Sequence, residues 1–453
     1  MESIFDIPAD LDTPVSAYLR LGPLRPRYLL ESVEGGHTGR YSFIGFGDTQ
    51  RVTIEADGVH VDGDHLDTEV LPGLRKALER APVCVPADAS PFDGGLVGVA
   101  AFDLVRRLYR LPASPHVSEG PDGVYMTTSS ILVFDHLTRR MALLHHGSEE
   151  ERRELRSDVQ AALRGPLDHS YQPSRHGPAT PSMSKDEFMG GVEAVKSHIQ
   201  VGDVYQLVLS IRFDGETEVH PFAVYRALRL LNPSPYMYFI DTGDRQVVGS
   251  SPEALARLSG TRAELRPIAG TRPRGADDDE DHRLERELLG DPKEAAEHVM
   301  LVDLARNDVG RTARPGSVVV DPYKTIERYS HVMHMVSGVS ADLLPGLDAF
   351  DLFAATFPAG TVSGAPKLRA IEIIDELEPV SRGLYSGSIG YFGHGGSMDQ
   401  AITIRTLVFE DGRYTYQAGA GIVADSDPAA EHHEVMSKAA ALEAALALAK
   451  EGL

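Results

Sequence analysis

Four glutamates stand where two helices would present them in pairs. Glu294 and Glu297 follow Asp291-Pro292, and Glu431 and Glu434 follow Asp427-Pro428. Aspartate followed by proline is the pattern of an N-cap and a first helical residue. A spacing of three puts both carboxylates of a pair on one face. Lys438 extends the face of the second helix, and Ala295, Val299 and Val302 form a neighbouring apolar face on the first. Carboxylates are hard oxygen donors, and Mg2+ keeps several waters while taking one or two of them plus substrate oxygens. Either helix alone reads as a solvated face. Two such helices facing each other would make a divalent-cation site, with a lysine beside it for a substrate carboxylate.

Other chemistries find less support. His331 and His334 are three apart and His432 and His433 adjacent, but there is no HExxH and no cysteine cluster, so zinc is disfavoured. Cys84 is the single cysteine, which excludes an intrachain disulfide and suits a reducing cytoplasm. AGTVSGAPK (359–367) is glycine-rich and ends in lysine without P-loop spacing, and no GxGxxG follows a strand, so no nucleotide cofactor is indicated. The 67 acidic residues outweigh 44 basic ones, for a net charge of -23. Such a surface repels nucleic acid and anionic lipid, so neither is an expected partner. An anionic substrate would then need a locally basic or metal-lined pocket. No apolar run approaches the ~18 residues of a membrane span, and the first residues lack a basic-then-apolar signal pattern. A soluble, cytoplasmic protein is expected.

The elements that must position these residues are legible in outline. RYSFIGFG (40–47) reads as a strand; RVTIEADGVHVDG (51–63) and SSILVFDHLTRRMALLHHG (129–147) read as hairpins with turn residues at their centres. EEERRELRSDVQAALRG (149–165) reads as an amphipathic helix. Residues 165–184 are rich in Pro, Ser, Gly and His without periodicity, as in a linker. Ser184 and Glu187 then open a helix in capping-box spacing that ends near Gly202, followed by a strand in VYQLVLSIRF (204–213). With 453 residues a two-lobed molecule or a large single α+β domain is expected, and the irregular mixture of strands and helices favours α+β over a doubly wound sheet. The boundaries drawn are an N-terminal lobe over 1–165, a linker over 166–184 and a catalytic domain over 185–453.

Nine strings, in order, resemble the chorismate-binding enzyme family, which includes anthranilate, aminodeoxychorismate, isochorismate and salicylate synthases. They are GDVYQLVLSIRF (202–213), SSPEAL (250–255), RPIAGTRPRG (266–275), DPKEAAEHVMLVDLARNDVGR (291–311), IERYSHVMHMVS (326–337), FPAGTVSGAPKLRAIEIIDELEP (357–379), SGSIGYF (386–392), AITIRT (401–406) and QAGAGIVADSDPAAEHHEVMSKA (417–439). The resemblance implies a two-lobed fold of antiparallel sheets packed as a sandwich with helices outside. Two positions bear on the reaction. Aminodeoxychorismate synthases often carry PIKGT with an attacking lysine; this chain has Ala269 there. Water-adding members carry a lysine base where this chain has Gln206, and without it ammonia is the nucleophile. Both point to the anthranilate synthases of the family, enzymes that turn chorismate and ammonia into anthranilate and pyruvate with Mg2+.

The resemblance also implies roles. Glu253 matches the acid that protonates the departing ring hydroxyl, and His334 the histidine of pyruvate elimination. Glu297 and Glu434 match direct Mg2+ ligands, with Glu294 and Glu431 reaching the ion through water. Gly270 and Thr271 match the donors to the ring carboxylate, and Tyr385 and Arg405 the grip on the enolpyruvyl carboxylate. Gly419, Ala420 and Gly421 would bring backbone N–H groups to that carboxylate, and Lys438 would pair with a carboxylate. LLESVEGGHTGRYSFIG (29–45) and NPSPYMYF (232–239) resemble the segments that hold the feedback inhibitor tryptophan, with Ser32, Pro235, Tyr236 and Met237 at the matching positions. The complete absence of tryptophan from the chain suits an enzyme made under tryptophan starvation. No glutaminase nucleophile elbow surrounds a cysteine, so a separate glutamine amidotransferase subunit is expected to supply ammonia in a hetero-oligomer. The alternatives are an aminodeoxychorismate synthase lacking the lysine, an enzyme stopping at aminodeoxyisochorismate, or a non-catalytic binding protein on the same scaffold.

Overall fold

Strand Gln206–Glu216 sets the logic of the architecture. Alternate side chains of a strand point to opposite faces, and here Leu207, Leu209, Ile211 and Phe213 enter an apolar core under helices. Burial of such side chains contributes about 1.5–3 kcal/mol each. Gln206, Val208 and Ser210 take the other face. The partner strand Arg413–Ile422 runs antiparallel, with Val208 opposite Gly421 and Ser210 opposite Gly419. Two glycines therefore share the face that carries Val208.

The computed structural model describes residues 5–33, 39–85, 90–116, 120–167, 171, 174–328 and 332–452. Among them are a 12-stranded sheet, an 11-stranded sheet and a 3-stranded sheet, with antiparallel neighbours throughout. The two large sheets stack face to face. Tyr28, Phe43, Ile131 and Tyr238 of the first meet Val97, Val99, Ile389 and Tyr391 of the second in one apolar layer. Helices cover both outer faces: Lys185–Gln200, Pro221–Leu231 and Pro428–Lys450 the first, Val70–Arg80, Pro292–Gly310 and Ala349–Thr356 the second. This is the expected sandwich with helices outside.

Both large sheets draw strands from the two ends of the chain. Tyr28–Glu31 pairs with Tyr236–Asp241 in the first, and Gly95–Ala100 pairs with Ser388–Gly393 in the second. Residues 165–184 contribute the edge strand Thr180–Pro181, paired with Phe213 and Asp214.

Local signals act as their chemistry demands. Ser184 Oγ accepts from Glu187 N while the Glu187 carboxylate accepts from Ser184 N. Asp291 caps Pro292–Gly310 by accepting from Lys293 N and Glu294 N, and Asp427 caps Pro428–Lys450 by accepting from Ala430 N. Each such cap contributes about 1 kcal/mol. The expected hairpins form, Arg51–Glu55 with Gly58–Val61 and Ser130–Asp135 with Arg140–His145. The apolar face of Ala295, Val299 and Val302 is buried only in part. Val299 is exposed, and the core face of its helix is formed by His298, Leu301, Val302, Ala305 and Val309. Burying His298 is tolerable because its Nε2 bonds Ser337 Oγ at 2.7 Å. Among the described residues no helix is long and apolar enough to cross a membrane.

Candidate active site

The two carboxylate helices belong to opposite outer layers, yet each brings a glutamate to the same cleft. Glu297 and Glu434 line one cleft of about 570 Å3, together with Glu253, Gly270, Thr271, His334, Tyr385, Arg405, Gly419, Gly421 and Lys438. Burial pushes the Glu297 carboxyl up, and the charges of Glu294, Glu434 and Glu431 add to the push against Lys293. Glu431 is raised by burial as well, Ser426 opposing and Glu434 adding. The four glutamates are therefore close enough to repel one another. Glu294 also takes an ion pair from Arg272 at 3.3 Å, and Glu434 one from Lys438 at 2.8 Å. Among the described residues no three His, Cys, Asp or Glu side chains enclose a metal position by themselves.

In the same cleft, Glu253 is half-buried after a strand end held by Ser251 Oγ on Ile402 O at 2.7 Å. Desolvation pushes its carboxyl up to about 7, with the Thr361 hydroxyl and the Lys438 ammonium pulling the other way. It is thus a group half protonated near neutrality, facing a cleft.

Gly270 sits at an irregularity in the register between Ile268–Pro273 and Val332–Val336, with φ of 66°. Such a left-handed bulge position favours glycine, and an added Cβ would come within 2.7 Å of Leu288. Across that pair, His334 Nδ1 lies 3.1 Å from Gly270 O and 3.0 Å from Thr271 Oγ1. A carbonyl oxygen only accepts, so Nδ1 carries the proton and Nε2 the lone pair. Burial lowers the imidazole pKa and Arg405 adds to the lowering, with the bond to Gly270 opposing, so the ring is neutral at pH 7. Ala269 is buried in the same wall and presents only a methyl group.

Arg405 stands at a bend with φ of 50°. Left-handed backbone costs a non-glycine residue about 1–3 kcal/mol, and the Arg405 carbonyl, accepting from Ser250 N at 3.2 Å, helps hold it. The Tyr385 ring packs against the glycine strand: a Cβ on Gly419 would meet its hydroxyl at 2.7 Å. Burial pushes that hydroxyl up to about 12, against the nearby Arg382. Lys438 Nζ donates to Gly419 O at 2.9 Å. Gln206 lies behind the wall, where its amide is 3.4 Å from Glu297 and would be 2.6 Å from a Cβ on Gly421. Ala420 turns into the apolar core and does not line the cleft. Cleft residues that the sequence did not single out include Thr361, beside Glu253, and Gln417, whose Oε1 is buried without a hydrogen-bond partner among the described residues.

A second cavity of about 340 Å3 opens between the sheets and is lined by Ser32, Pro235, Tyr236 and Met237 with Tyr391, Arg257 and Asp399. Pro235 belongs to the walls of both cavities. Ser32 Oγ is buried there without a hydrogen-bond partner among the described residues. Tyr236 OH donates to Asp399 at 3.0 Å, and burial raises the Asp399 carboxyl while Arg257 and Tyr236 oppose.

The chorismate binding enzyme family model matches residues 25–444. Anthranilate synthase component 1 of Thermus thermophilus is 47% identical, covering 98% of this chain and 97% of its own length. The Pseudomonas putida protein of that name is 45% identical over 98% of this chain and 94% of its own. Among solved structures, anthranilate synthase component I of Streptococcus pneumoniae superposes with a TM-score of 0.80 at 35% identity, covering 96% of this chain and 98% of the other. The chain belongs to the chorismate-binding enzyme family, in its anthranilate synthase component 1 branch.

Proposed function

We propose that this cleft converts chorismate and ammonia into anthranilate, pyruvate and water. One observation carries the reading: acidic side chains from helices of opposite layers face a single cleft that is also lined by Arg405, Tyr385 and a glycine strand. The Glu297–Glu434 pair fits Mg2+, which keeps waters and needs few protein carboxylates, and the mutual repulsion of these glutamates is what a cation relieves. When bound, the ion supplies charge neutralisation for the ring carboxylate.

The chain's own residues account for the rest. Gly270 and Thr271 orient the ring carboxylate by backbone and hydroxyl donors. Arg405 and Tyr385 hold the enolpyruvyl carboxylate, with the Arg405 guanidinium offering a planar pair of donors. Gly419 and Gly421 leave room for close approach. Ammonia adds at the ring carbon beside the carboxylate, the double bond shifts, and the C–O bond of the ring hydroxyl breaks. Glu253 gives that oxygen its proton, so water leaves rather than hydroxide, and a carboxyl near 7 suits the transfer. In the second half His334 Nε2 removes the proton from the aminated carbon. The electron pair enters the ring, the ether C–O bond breaks, and the side chain departs to become pyruvate with a proton on its methylene carbon. Ala269 offers no nucleophile and Gln206 no base for water, so ammonia is the entering group.

Ammonium predominates at neutral pH, so we assign the ammonia source to a separate glutaminase subunit. The second cavity is assigned to tryptophan as feedback inhibitor, on the strength of the Ser32 hydroxyl and the shared Pro235 wall. The site of action proposed is the cytoplasm. The test is product analysis on the purified chain with chorismate, Mg2+ and ammonium. Fluorescent anthranilate without an added lyase supports the reading; aminodeoxychorismate, isochorismate or unchanged chorismate refutes it.

A further inference from the structure

Between the glycine strand and the cleft wall lies an ion pair that the chemistry above does not use. Arg382 and Glu378 have side chains only 1% and 3% exposed. Arg382 Nε and Nη2 donate to the two Glu378 oxygens at 2.8 and 2.6 Å. The remaining guanidinium donors go to Val208 O at 2.8 Å, Val362 O at 2.7 Å and Ser386 Oγ at 3.2 Å. An arginine has five N–H groups in a fixed plane, and every one is used. Glu378 also accepts from Ser210 N and Ser210 Oγ at 2.9 and 2.6 Å, and Ser210 Oγ accepts from Gln417 at 2.8 Å.

The partners are not scattered. Val208, Val362 and Gln417 each line the cleft, on three different segments, and Ser386 follows Tyr385 directly. The guanidinium also lies 5.6 Å from the Tyr385 ring and 4.8 Å from the Phe102 ring, within the range of a cation–π contact to the tyrosine. Ser386 adopts φ of 64°, a conformation that the bond from Arg382 helps to hold. Because Glu378 neutralises it at contact distance, Arg382 adds no free positive charge that would draw the substrate carboxylate away from Arg405.

We propose that Arg382, locked to Glu378, is a positioning residue that fixes the Tyr385 end of the cleft without touching substrate. The proposal rests on reading Tyr385 and Arg405 as the carboxylate grip. A lysine at 382 would keep the charge but has three donors on a flexible stem, so it cannot hold three segments in one plane.

The test compares R382K, the charge-free pair R382M/E378L, S386A and Y385F with the wild-type chain. Steady-state constants are measured separately for chorismate, ammonium and Mg2+. KM for chorismate is expected to rise about tenfold in both Arg382 variants, since small misplacements in a site are costly. In S386A, which removes a hydroxyl shared by Arg382 and Tyr385 and leaves the Arg382–Glu378 pair intact, it should rise roughly threefold. KM for ammonium and for Mg2+ should stay near wild type in all of them. S386A keeps the test open if an Arg382 variant does not fold. An unchanged chorismate KM in S386A and in either folded Arg382 variant overturns the proposal, as does an equal rise for all three reactants, which marks general loosening. Y385F with a wild-type chorismate KM refutes the grip reading instead; Y385F with a raised KM beside wild-type Arg382 variants refutes the positioning role alone.

Discussion

Glutamine at position 253 keeps the shape of the side chain and removes its proton chemistry, so it separates catalysis from stability. The carboxyl ionises at about 7 in the folded chain against an ordinary 4.5. At about 1.4 kcal/mol per tenfold change, its ionised form costs the fold roughly 3 kcal/mol. The sign follows from proton counts. Below the ordinary value the carboxyl is protonated in both folded and unfolded chains and costs nothing. Between that value and about 7 the unfolded chain gives up a proton that the folded one keeps, so stability falls as pH rises. Above that window the full cost is present. E253Q has no such term. Unfolding entropy of ~2.1 cal/mol/K per residue over 453 residues turns ~3 kcal/mol into about 3 °C. Thermal melts of both chains at pH 4.5 and pH 8 should therefore coincide at the lower pH and differ at the higher, with the variant more stable. The same variant should form anthranilate about 100–10,000-fold more slowly, the usual contribution of a positioned acid. A melting difference equal at both pH values refutes the burial argument. A rate within a few-fold of wild type refutes the assignment of the acid.

Other outcomes follow from the same geometry. G419A forces a methyl group against Tyr385 OH and Leu209 O, both within 3 Å; chorismate KM should rise at least tenfold with the Mg2+ requirement unchanged, read by anthranilate fluorescence. S32A removes the hydroxyl left without a partner in the second cavity, so tryptophan inhibition should weaken about tenfold while the uninhibited rate stays the same. At fixed free ammonia, the rate should fall as pH rises through about 7 in the wild type as Glu253 deprotonates. Cys84 is buried and its thiol is pushed up to about 12 by desolvation, so a thiol reagent should label the native chain at a negligible rate and the urea-unfolded chain at once.

What the sequence made legible was local. Ser184 with Glu187, and Asp291 and Asp427 before their prolines, announce helix starts because each cap involves atoms within one turn. The hairpins are legible for a similar reason, since a turn and an alternating pattern fix them. The pairing of Tyr28–Glu31 with Tyr236–Asp241 has no such signature, and the second cavity is closed by Tyr391, Arg257 and Asp399 from the opposite sheet. Apolar spacing alone does not say which stripe of Pro292–Gly310 is buried: Val299 is exposed, whereas His298 is buried against Ser337 in the loop after Val332–Val336. Gln417 carried a usable hint, a polar residue inside the strand pattern YTYQAGAGI, where a buried amide needs a reason. Thr361 carried none, since a threonine in a glycine-rich turn is ordinary. The convergence of Glu297 with Glu434 became visible only through the resemblance, because helix spacing orders carboxylates on a face and says nothing about what that face meets.

The proposed chemistry requires those two glutamates to act together on one divalent ion with the substrate. Calorimetric titration of chorismate into the chain, without ammonia, with and without Mg2+, measures this directly. Wild-type protein should bind chorismate at least tenfold more tightly with Mg2+ present, and the E297Q/E434Q double variant should bind it with the same affinity in both conditions. An undiminished Mg2+ effect in the double variant, with its melting curve intact, would contradict the account.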